Sequence, residues 1–418
     1  MWVSGWLVAA AWAGALSLSS TTPTHRAWGG MAGVGYLLAA AAACCTPRRH
    51  ALRVSGLLAL VGAVLLPLLF LVLTGQAQSE VTVIEHSADL LIHTGSPYLP
   101  HPRRVIDYNP YLPGMALLGL PRALLGDGNS VTALLDDGRI WCAAVFVSCL
   151  IAGQRVLRTS VVGVEGRWQP EATSPGTAMT ILIASPFVAL PLCVSGVDLP
   201  LIGACCLGLA LAARGRPVAA GVVLAFACSL KWPAWPAVPV ALTTLVSLYG
   251  GRAAARCAGV ALAVTAALIL PGVLRAPRTI AVQVLAFPTG RAKVATPAAS
   301  PLPGRLLASV GPGGWAAAVA LLALSAAVMV VSLVRRPPTD AVQSADRLAI
   351  GLTMAFALAP ASRFGYFELP VVLSVWTRLA CAPHTGAAPR HAPGAARGSH
   401  RESTDPPLAR INCSLKEL

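Results

Sequence analysis

Long runs of apolar residues alternate with short polar connectors along most of this chain. Each run approaches the roughly 20 residues that an α-helix needs to cross a bilayer. The pattern therefore predicts an all-α polytopic membrane protein, a bundle of about twelve transmembrane helices. The predicted spans are residues 2–19, 28–45, 54–74, 140–157, 175–193, 199–213, 217–231, 235–250, 257–274, 312–334, 346–362 and 366–381.

Arginine clusters between the apolar runs predict the orientation of the bundle. Short cytoplasmic loops of membrane proteins carry an excess of Lys and Arg. We therefore expect the clusters to face the cytoplasm, with both termini inside the cell membrane. The five clusters lie at 48–53, 155–167, 214–216, 252–256 and 335–347.

The apolar stretch 111–126, YLPGMALLGLPRALLG, is long enough to resemble another span. If it crossed the bilayer, the arginine cluster at 155–167 would fall outside, so we expect a helix lying along the outer interface instead. Two larger extracytoplasmic loops result, at about 75–139 and 275–311, within one membrane domain that covers 1–381.

Composition agrees with a membrane-embedded chain. Of the 418 residues, 56% are hydrophobic and 11% are charged, which leaves too little polar surface for a soluble globule. The net charge of +15 is spread in ones and twos at the ends of apolar runs, which is typical of topology signals and argues against nucleic-acid binding. The tail 382–418 is rich in Pro, Ala, Gly and Arg without periodicity, and we expect it to be disordered and cytoplasmic.

The polar segment 79–113 interrupts the apolar pattern and carries the first candidate chemistry. Glu80 falls at the outer end of the third span, where an ionised carboxylate can reach a membrane-embedded substrate. Glu85, Asp89 and His93 follow at positions i, i+4 and i+8, so they share one face of a helix.

Carboxylates and imidazoles in this segment are also possible metal ligands, because both groups bind divalent ions. Their spacing matches no specific metal-binding signature, and we expect neither a metal nor another cofactor. The residues concerned are Glu85, His86, Asp89, His93 and His101.

Two further charges fall within apolar surroundings, Asp198 in SGVDLP and Lys231 in SLKWPAWP. A charge in the hydrocarbon costs about 2.5–3.5 kcal/mol on insertion scales. Since both lie at the outer ends of neighbouring spans, we expect them to face a cavity or each other. A substrate contact and a structural ion pair both remain open.

Cations also accumulate on the predicted outer side. The second outer loop holds Arg291, Lys293 and Arg305, and Arg363 lies in LAPASRFGYFELP. About as many Lys and Arg residues fall outside as inside, against the usual bias. A phosphate or pyrophosphate held at the outer leaflet would account for this surplus.

The segments EVTVIEHSADLLIHTGSPYL and YNPYLPGMALLGLP resemble the first outer loop of glycosyltransferase family 87. These are integral membrane enzymes of the GT-C fold, related to polyprenyl-phosphomannose-dependent α-mannosyltransferases of actinobacteria. The family has an acidic residue, a G..PY element and a YPPL-like element, matched here by Glu80, residues 95–98 and residues 108–112. The GVDLP, LKWP, SPLPG and LAPASRFGY elements extend the similarity over about 75–380.

The resemblance implies a GT-C-like bundle that transfers a sugar, mannose at the level of the family, with inversion. The donor would be a polyprenyl-phosphate sugar, the acceptor an extracytoplasmic glycolipid or glycan, and the other partners membrane lipids. Glu80 would be the general base, with Glu85 and Asp89 as alternatives, because the family residue is most often Asp. The implied substrate-binding residues are Tyr98, Tyr108, Asn109, Tyr111, Asp198, Lys231, Arg291, Arg305 and Arg363.

Two other classes of function remain. A transporter or flippase of lipid-linked or anionic solutes would also use intramembrane charges, although the lack of an inverted repeat and the large outer loops favour an enzyme. A family member that has lost activity and serves as a scaffold is the third interpretation. Two spans precede the one that opens the family pattern, which leaves the role of residues 1–50 open.

Overall fold

The computed structural model describes residues 2–126, 130–158 and 175–381, and this part of the chain is almost entirely helical. It contains no strand, only an isolated bridge between Ala299 and Ser362. The predicted disordered tail 382–418 lies outside the described residues. The helices are α1 (Trp2–Ser19), α2 (Pro23–Cys45), α3 (Arg48–Leu73), α4 (Ser79–Thr94), α5 (Leu120–Leu125), α6 (Ser130–Asp136), α7 (Gly138–Arg158), α8 (Pro175–Ala184), α9 (Pro186–Val194), α10 (Leu199–Ala213), α11 (Pro217–Leu230), α12 (Ala237–Tyr249), α13 (Gly251–Arg275), α14 (Pro277–Ile280), α15 (Pro303–Ala308), α16 (Pro312–Arg335), α17 (Ala341–Leu358) and α18 (Glu368–Cys381).

Every predicted span coincides with a helix, but the number of spans is not confirmed. Among the described residues, six helices are long and apolar enough to cross a membrane, namely α1, α2, α3, α7, α13 and α16. A seventh results if α8 and α9, which are bent by 64° at Ser185, form one span. The helices are those of a membrane-embedded protein, while the figure of twelve remains a prediction.

Helix α10 lies at the centre of the bundle. All of its residues except Leu207 are buried, as expected of a helix that is apolar on every side. It packs against α7, α11, α12, α17 and α18. With 15 residues, α10 is about 22 Å long, shorter than the roughly 30 Å of a hydrocarbon core. Its neighbour α11 has 14 residues and is equally short.

The first two helices form a hairpin that packs onto α3. The Trp28 indole donates a hydrogen bond to the Ala63 carbonyl (2.9 Å), and the Tyr36 hydroxyl donates to the Ala184 carbonyl (2.7 Å). A Cβ on Gly35 would lie 2.6 Å from Gly62 Cα, so α2 and α3 approach closely only because both positions are glycine. The hairpin is therefore an integral part of the bundle.

Several arginine clusters lie together at one end of the bundle. Arg214 donates to the Leu157 carbonyl, and the Tyr249 hydroxyl donates to the Ala213 carbonyl (3.0 Å). These contacts join the ends of α7, α10 and α12. The opposite end of α10 holds Asp198, next to Lys231 at the end of α11. Which end faces the cytoplasm remains a prediction.

The stretch 111–126 differs from the expected interfacial helix. It consists of a 3-10 segment, Pro113–Leu118, followed by the six-residue helix α5. Met115 and Ala116 are buried, because the segment packs against α4 and α11 in the interior. Prolines near the start of both segments interrupt the helical hydrogen bonding, so no long amphipathic helix forms.

Candidate active site

Glu80 lies in the first turn of α4 and forms an ion pair with Arg363, whose Nη1 donates to Glu80 Oε1. An acidic residue is favoured there because the helix N-terminus carries partial positive charge. Burial alone would raise the pKa of Glu80, but the charge and hydrogen bond of Arg363, together with the charge of Lys231, lower it below its usual value. The carboxylate is therefore ionised at neutral pH.

Arg363 is held in place by the second predicted outer loop. Its Nε donates to the Pro297 carbonyl (3.3 Å), and the Ser300 amide donates to the Ser362 carbonyl (3.0 Å). The SPLPG and LAPASRFGY elements, about sixty residues apart in the chain, therefore lie side by side. Their contact fixes the guanidinium opposite Glu80.

Glu80 and Arg363 line an open cavity of about 550 Å³, which we name the Glu80 cavity. This volume lies within the range of about 300–1,000 Å³ that is typical of ligand-binding pockets. The wall comes from three places: the start of α2, the link between α3 and α4, and Arg363 itself. The lining residues are Thr22, Pro23, Thr24, Gly75, Gln76, Ala77, Gln78, Ser79, Glu80 and Arg363.

The link that precedes Glu80 is anchored by a buried arginine. Arg139 is only 1% exposed, and its guanidinium donates to the Gln76 and Cys193 carbonyls (2.8 and 3.0 Å) and to the Asp137 carboxylate. The Gln78 amide donates to the Val194 carbonyl (2.9 Å). Arg139 thus ties the cavity wall to the C-terminal end of α9, where a helix favours a positive charge.

A second ion pair lies where the short helix α10 begins and its neighbour α11 ends. Lys231 Nζ is 2.7 Å from Asp198 Oδ1 and lies over the rings of Tyr111 and Tyr366, at 5.4 and 4.8 Å from their centroids. The neighbouring cavity has a volume of about 20 Å³, enough for a single water molecule. We name this group of four side chains the Lys231 cluster.

Glu368 adds a buried carboxyl group beside the Lys231 cluster. It lines the same small cavity and is 6% exposed. Its Oε1 has no hydrogen-bond partner among the described residues. An ionised carboxylate without a partner would be costly there, so the surroundings favour the protonated form.

The predicted tyrosine and asparagine contacts interlock with one another. The Tyr98 hydroxyl donates to the Tyr111 carbonyl (2.8 Å), while the Asn109 side chain donates to the Pro97 carbonyl and accepts from the Tyr111 amide (both 3.0 Å). Tyr108 stacks on Phe287 with 4.5 Å between ring centroids. All four are buried. The hydrogen bonds from Tyr98 and to Asn109 hold Tyr111 beside Lys231. None of the four residues lines the Glu80 cavity.

The other predicted site residues lie apart from the cavity. The Arg291 guanidinium lies over the Trp315 ring at 4.6 Å, and Arg305 belongs to the short helix α15. Glu85 Oε1 accepts a hydrogen bond from the Gly138 amide (3.1 Å). Asp89 pairs with His93 on the exposed face of α4, at 3.1 Å.

The described residues contain no group of three or more His, Cys, Asp or Glu side chains placed to hold a metal ion.

Five of the ten predicted site residues are near one another: Glu80, Tyr111, Asp198, Lys231 and Arg363. Their mutual electrostatic influence indicates this proximity, since the charges of Lys231 and Arg363 both affect Glu80.

Sequence reasoning missed the polar residues that complete the wall. Thr22 and Gln76 stand in short connectors and Thr24 in the first turn of α2, and none of them belongs to a recognisable motif. Arg139 did leave a signal, because LLDDGRIW places an arginine and two aspartates at the start of an apolar run, where charges need partners.

Comparison with known proteins adds no relative. No protein-family model, no curated protein and no solved structure matches this chain. The resemblance to glycosyltransferase family 87 therefore stays a prediction from the sequence.

Proposed function

We propose that the protein is a membrane glycosyltransferase that moves a sugar, mannose in the first instance, from a polyprenyl-phosphate donor to a glycolipid or glycan acceptor outside the cell. The observation that carries the proposal is the ion pair of Glu80 and Arg363 on the wall of a polar cavity of about 550 Å³. A carboxylate and a guanidinium sharing one such wall are the two groups that this transfer needs.

Glu80 acts as the general base in this proposal. The acceptor hydroxyl oxygen forms a bond to the anomeric carbon while the bond from that carbon to the phosphate oxygen breaks. The acceptor proton passes to the Glu80 carboxylate, and polyprenyl phosphate leaves with the bonding electron pair. Attack opposite the leaving group inverts the anomeric configuration. A positioned base contributes about 10²–10⁴ in rate.

Arg363 binds the donor phosphate. It is the cation that lines the Glu80 cavity among the residues that the structure describes, whereas Lys231 is paired with Asp198 and Arg291 lies over Trp315. When phosphate arrives, Arg363 exchanges its carboxylate partner for a phosphate oxygen. This exchange releases Glu80 from the contact that lowers its pKa, so the carboxylate becomes a stronger base at the moment it is needed.

In this proposal the lipid chain lies on the exposed apolar surface of α3. Leu66, Phe70 and Leu73 are exposed and recur at helical spacing, so they form a stripe along α3. The stripe ends two residues before Gly75, which lines the cavity. A polyprenyl chain lying along this stripe would place its phosphate at Arg363.

The test is transfer of radiolabelled sugar from a panel of polyprenyl-phosphate donors to endogenous acceptors, in membranes that contain the wild type, Glu80→Gln or Glu85→Gln. Glu85→Gln is the matched control, because it removes a carboxylate from the same helix and keeps the oxygen that accepts from Gly138. We expect transfer with the wild type and the control and its loss with Glu80→Gln. Loss of transfer with Glu85→Gln alone would identify Glu85 as the general base.

One observation favours the second candidate, a transporter of lipid-linked or anionic solutes. Helices α8 and α9 form a bent pair, and α9 ends at the carbonyls that bind Arg139 and Gln78. Discontinuous helices that end at a binding site are typical of transporters. No transfer above empty membranes with any donor, given confirmed expression, would favour this candidate.

A further inference from the structure

The Glu80 cavity carries no net charge. Among the described lining residues the charged ones are Glu80 and Arg363, and they form a pair, so neither offers a full charge to a ligand that leaves the pair intact. None of the described residues that line the cavity is aromatic. The remaining polar side chains are hydroxyls and carboxamides, from Thr22, Thr24, Gln76, Gln78 and Ser79.

Part of this hydrogen-bonding capacity is unused. Thr22 and Gln76, from two of the three places that form the wall, are half-buried, and the Thr22 hydroxyl makes no capping hydrogen bond to α2. Thr24 is 6% exposed, and its hydroxyl lacks a hydrogen-bond partner among the described residues. The hydroxyls and carboxamides that line the cavity can both donate and accept hydrogen bonds, so a ligand that does the same would complement this wall.

We infer that the Glu80 cavity binds a neutral, polyhydroxylated ligand with the chemistry of a sugar ring, and that residues 22–24 form one wall of the binding site. Each sugar hydroxyl donates one hydrogen bond and accepts others, as do the hydroxyl and carboxamide groups that it would meet. The identity of this ligand rests on the proposed function, in which it is the terminal sugar of the acceptor. The wall at 22–24 then helps to decide which acceptor is used.

The N-terminal hairpin presents this wall in a fixed position. The Gln78 side-chain amide donates to His25 Nε2 at 2.7 Å, which joins the start of α2 to the segment before Glu80. Trp28 and Tyr36 are fully buried and bind carbonyls of α3 and α8. A wall held in this way loses little conformational freedom when a ligand binds. This assigns a role to residues that precede the family-like region.

The first experiment measures binding and needs no transfer activity. Saturation-transfer NMR is recorded on the purified full-length protein in detergent with methyl α-mannoside, methyl α-glucoside and methyl α-arabinoside as probes. We expect at least one probe to bind the wild type and its affinity to fall about fivefold in Thr22→Val and in Gln76→Leu, through the loss of one hydrogen bond each. Thr22→Ser should retain the wild-type affinity.

Thr21→Val is the matched control, because Thr21 is the exposed neighbour of Thr22 and does not line the cavity. Two variants from separate walls keep the test decisive if one of them fails to fold, which size-exclusion chromatography detects. The inference is overturned if no probe binds or if Thr22→Val and Gln76→Leu bind the probes as tightly as the wild type does.

The second experiment separates this inference from the proposed function. In the transfer assay, Thr22→Val should raise the KM for the acceptor about fivefold while the KM for the donor stays unchanged. Transfer with an unchanged acceptor KM would overturn the inference and leave the transferase intact. Sugar binding that depends on Thr22, without any transfer, would support the binding site and contradict the proposed transferase function.

Discussion

Two ion pairs lie at the same end of the bundle and differ in the space around them. Asp198 and Lys231 are 30% and 12% exposed in their side chains and border a cavity of about 20 Å³. Glu80 and Arg363 are 18% and 32% exposed and border one of about 550 Å³. Both pairs are neutral, so they differ mainly in the volume of the cavity beside them. A pair beside an open cavity can exchange a partner for a ligand, whereas an enclosed pair keeps its partner and contributes to the fold.

The largest expected effect separates the two carboxylates by activity. Glu80→Gln should lower the transfer rate by about 10²–10⁴, the contribution of a general base. Asp198→Asn removes the same charge from the enclosed pair and should lower the rate per folded molecule less than about tenfold, through small displacements only. The measurement is transfer normalised to monodisperse protein. Equal losses in both variants would end the functional distinction between the pairs.

The next effect concerns the buried network that supports the open cavity. Arg139→Met leaves Asp137 and two carbonyls without their donor, and removing one partner of a buried ion pair costs about 3–5 kcal/mol. Arg139→Lys keeps the charge but loses the planar set of guanidinium donors, so its free energy of unfolding should lie between those of the wild type and Arg139→Met. Unfolding by SDS in mixed micelles measures both. A loss below about 1 kcal/mol in Arg139→Met would show that the wall does not depend on this network.

The enclosed pair should matter for stability more than the open one. Lys231→Met leaves Asp198 unpaired beside a cavity of about 20 Å³, with little room for water to replace the lost partner, and should cost at most about 3 kcal/mol of unfolding free energy, because Asp198 is 30% exposed. Arg363→Met leaves Glu80 beside a cavity of about 550 Å³ that admits water, and should cost about 1 kcal/mol. Adding Asp198→Leu to Lys231→Met should recover most of the loss, since an apolar pair replaces the ionic one. If Arg363→Met were the more damaging variant, the order would be reversed.

The sequence predicted the helices and one part of the site for a common physical reason. Apolar runs predict helix positions because a membrane leaves the backbone few alternatives. Asp198 and Lys231 were expected to face a cavity or each other, because isolated charges are costly in apolar surroundings. The structure brings them to 2.7 Å, beside a cavity of about 20 Å³.

Other features depended on packing that no local pattern records. Tyr98 and Asn109 were predicted to contact substrate, yet their hydrogen bonds go to the backbone of their own loop. Pro23 begins α2 five residues before the predicted span, and this extra turn carries Thr24 into the cavity wall. The helical pattern shows that α2 exists, but its first turn is defined by contacts with a segment fifty residues away.

The smallest expected effect compares two carboxylates on one helix. Arg363 lowers the pKa of Glu80 below its usual value of 4.5, whereas burial raises the pKa of Glu85 above 4.5. The stabilisation from Glu80 is therefore fully present above pH 4.5 and is lost as the pH falls through the lower pKa of the folded state. Glu85 has the opposite sign: its contribution is fully present below pH 4.5 and is lost as the pH rises through its raised pKa.

Unfolding free energies of the wild type, Glu80→Gln and Glu85→Gln between pH 3.5 and 7 test these signs. The advantage of the wild type over Glu80→Gln should shrink by about 1 kcal/mol or less on acidification, because the pair is partly exposed. The advantage over Glu85→Gln should grow over the same interval, since protonated Glu85 is suited to its buried position. Parallel curves for the two variants would mean that Glu80 and Glu85 share one electrostatic environment, and the contrast between a carboxylate whose pKa is lowered by Arg363 and one whose pKa is raised by burial would not hold within α4.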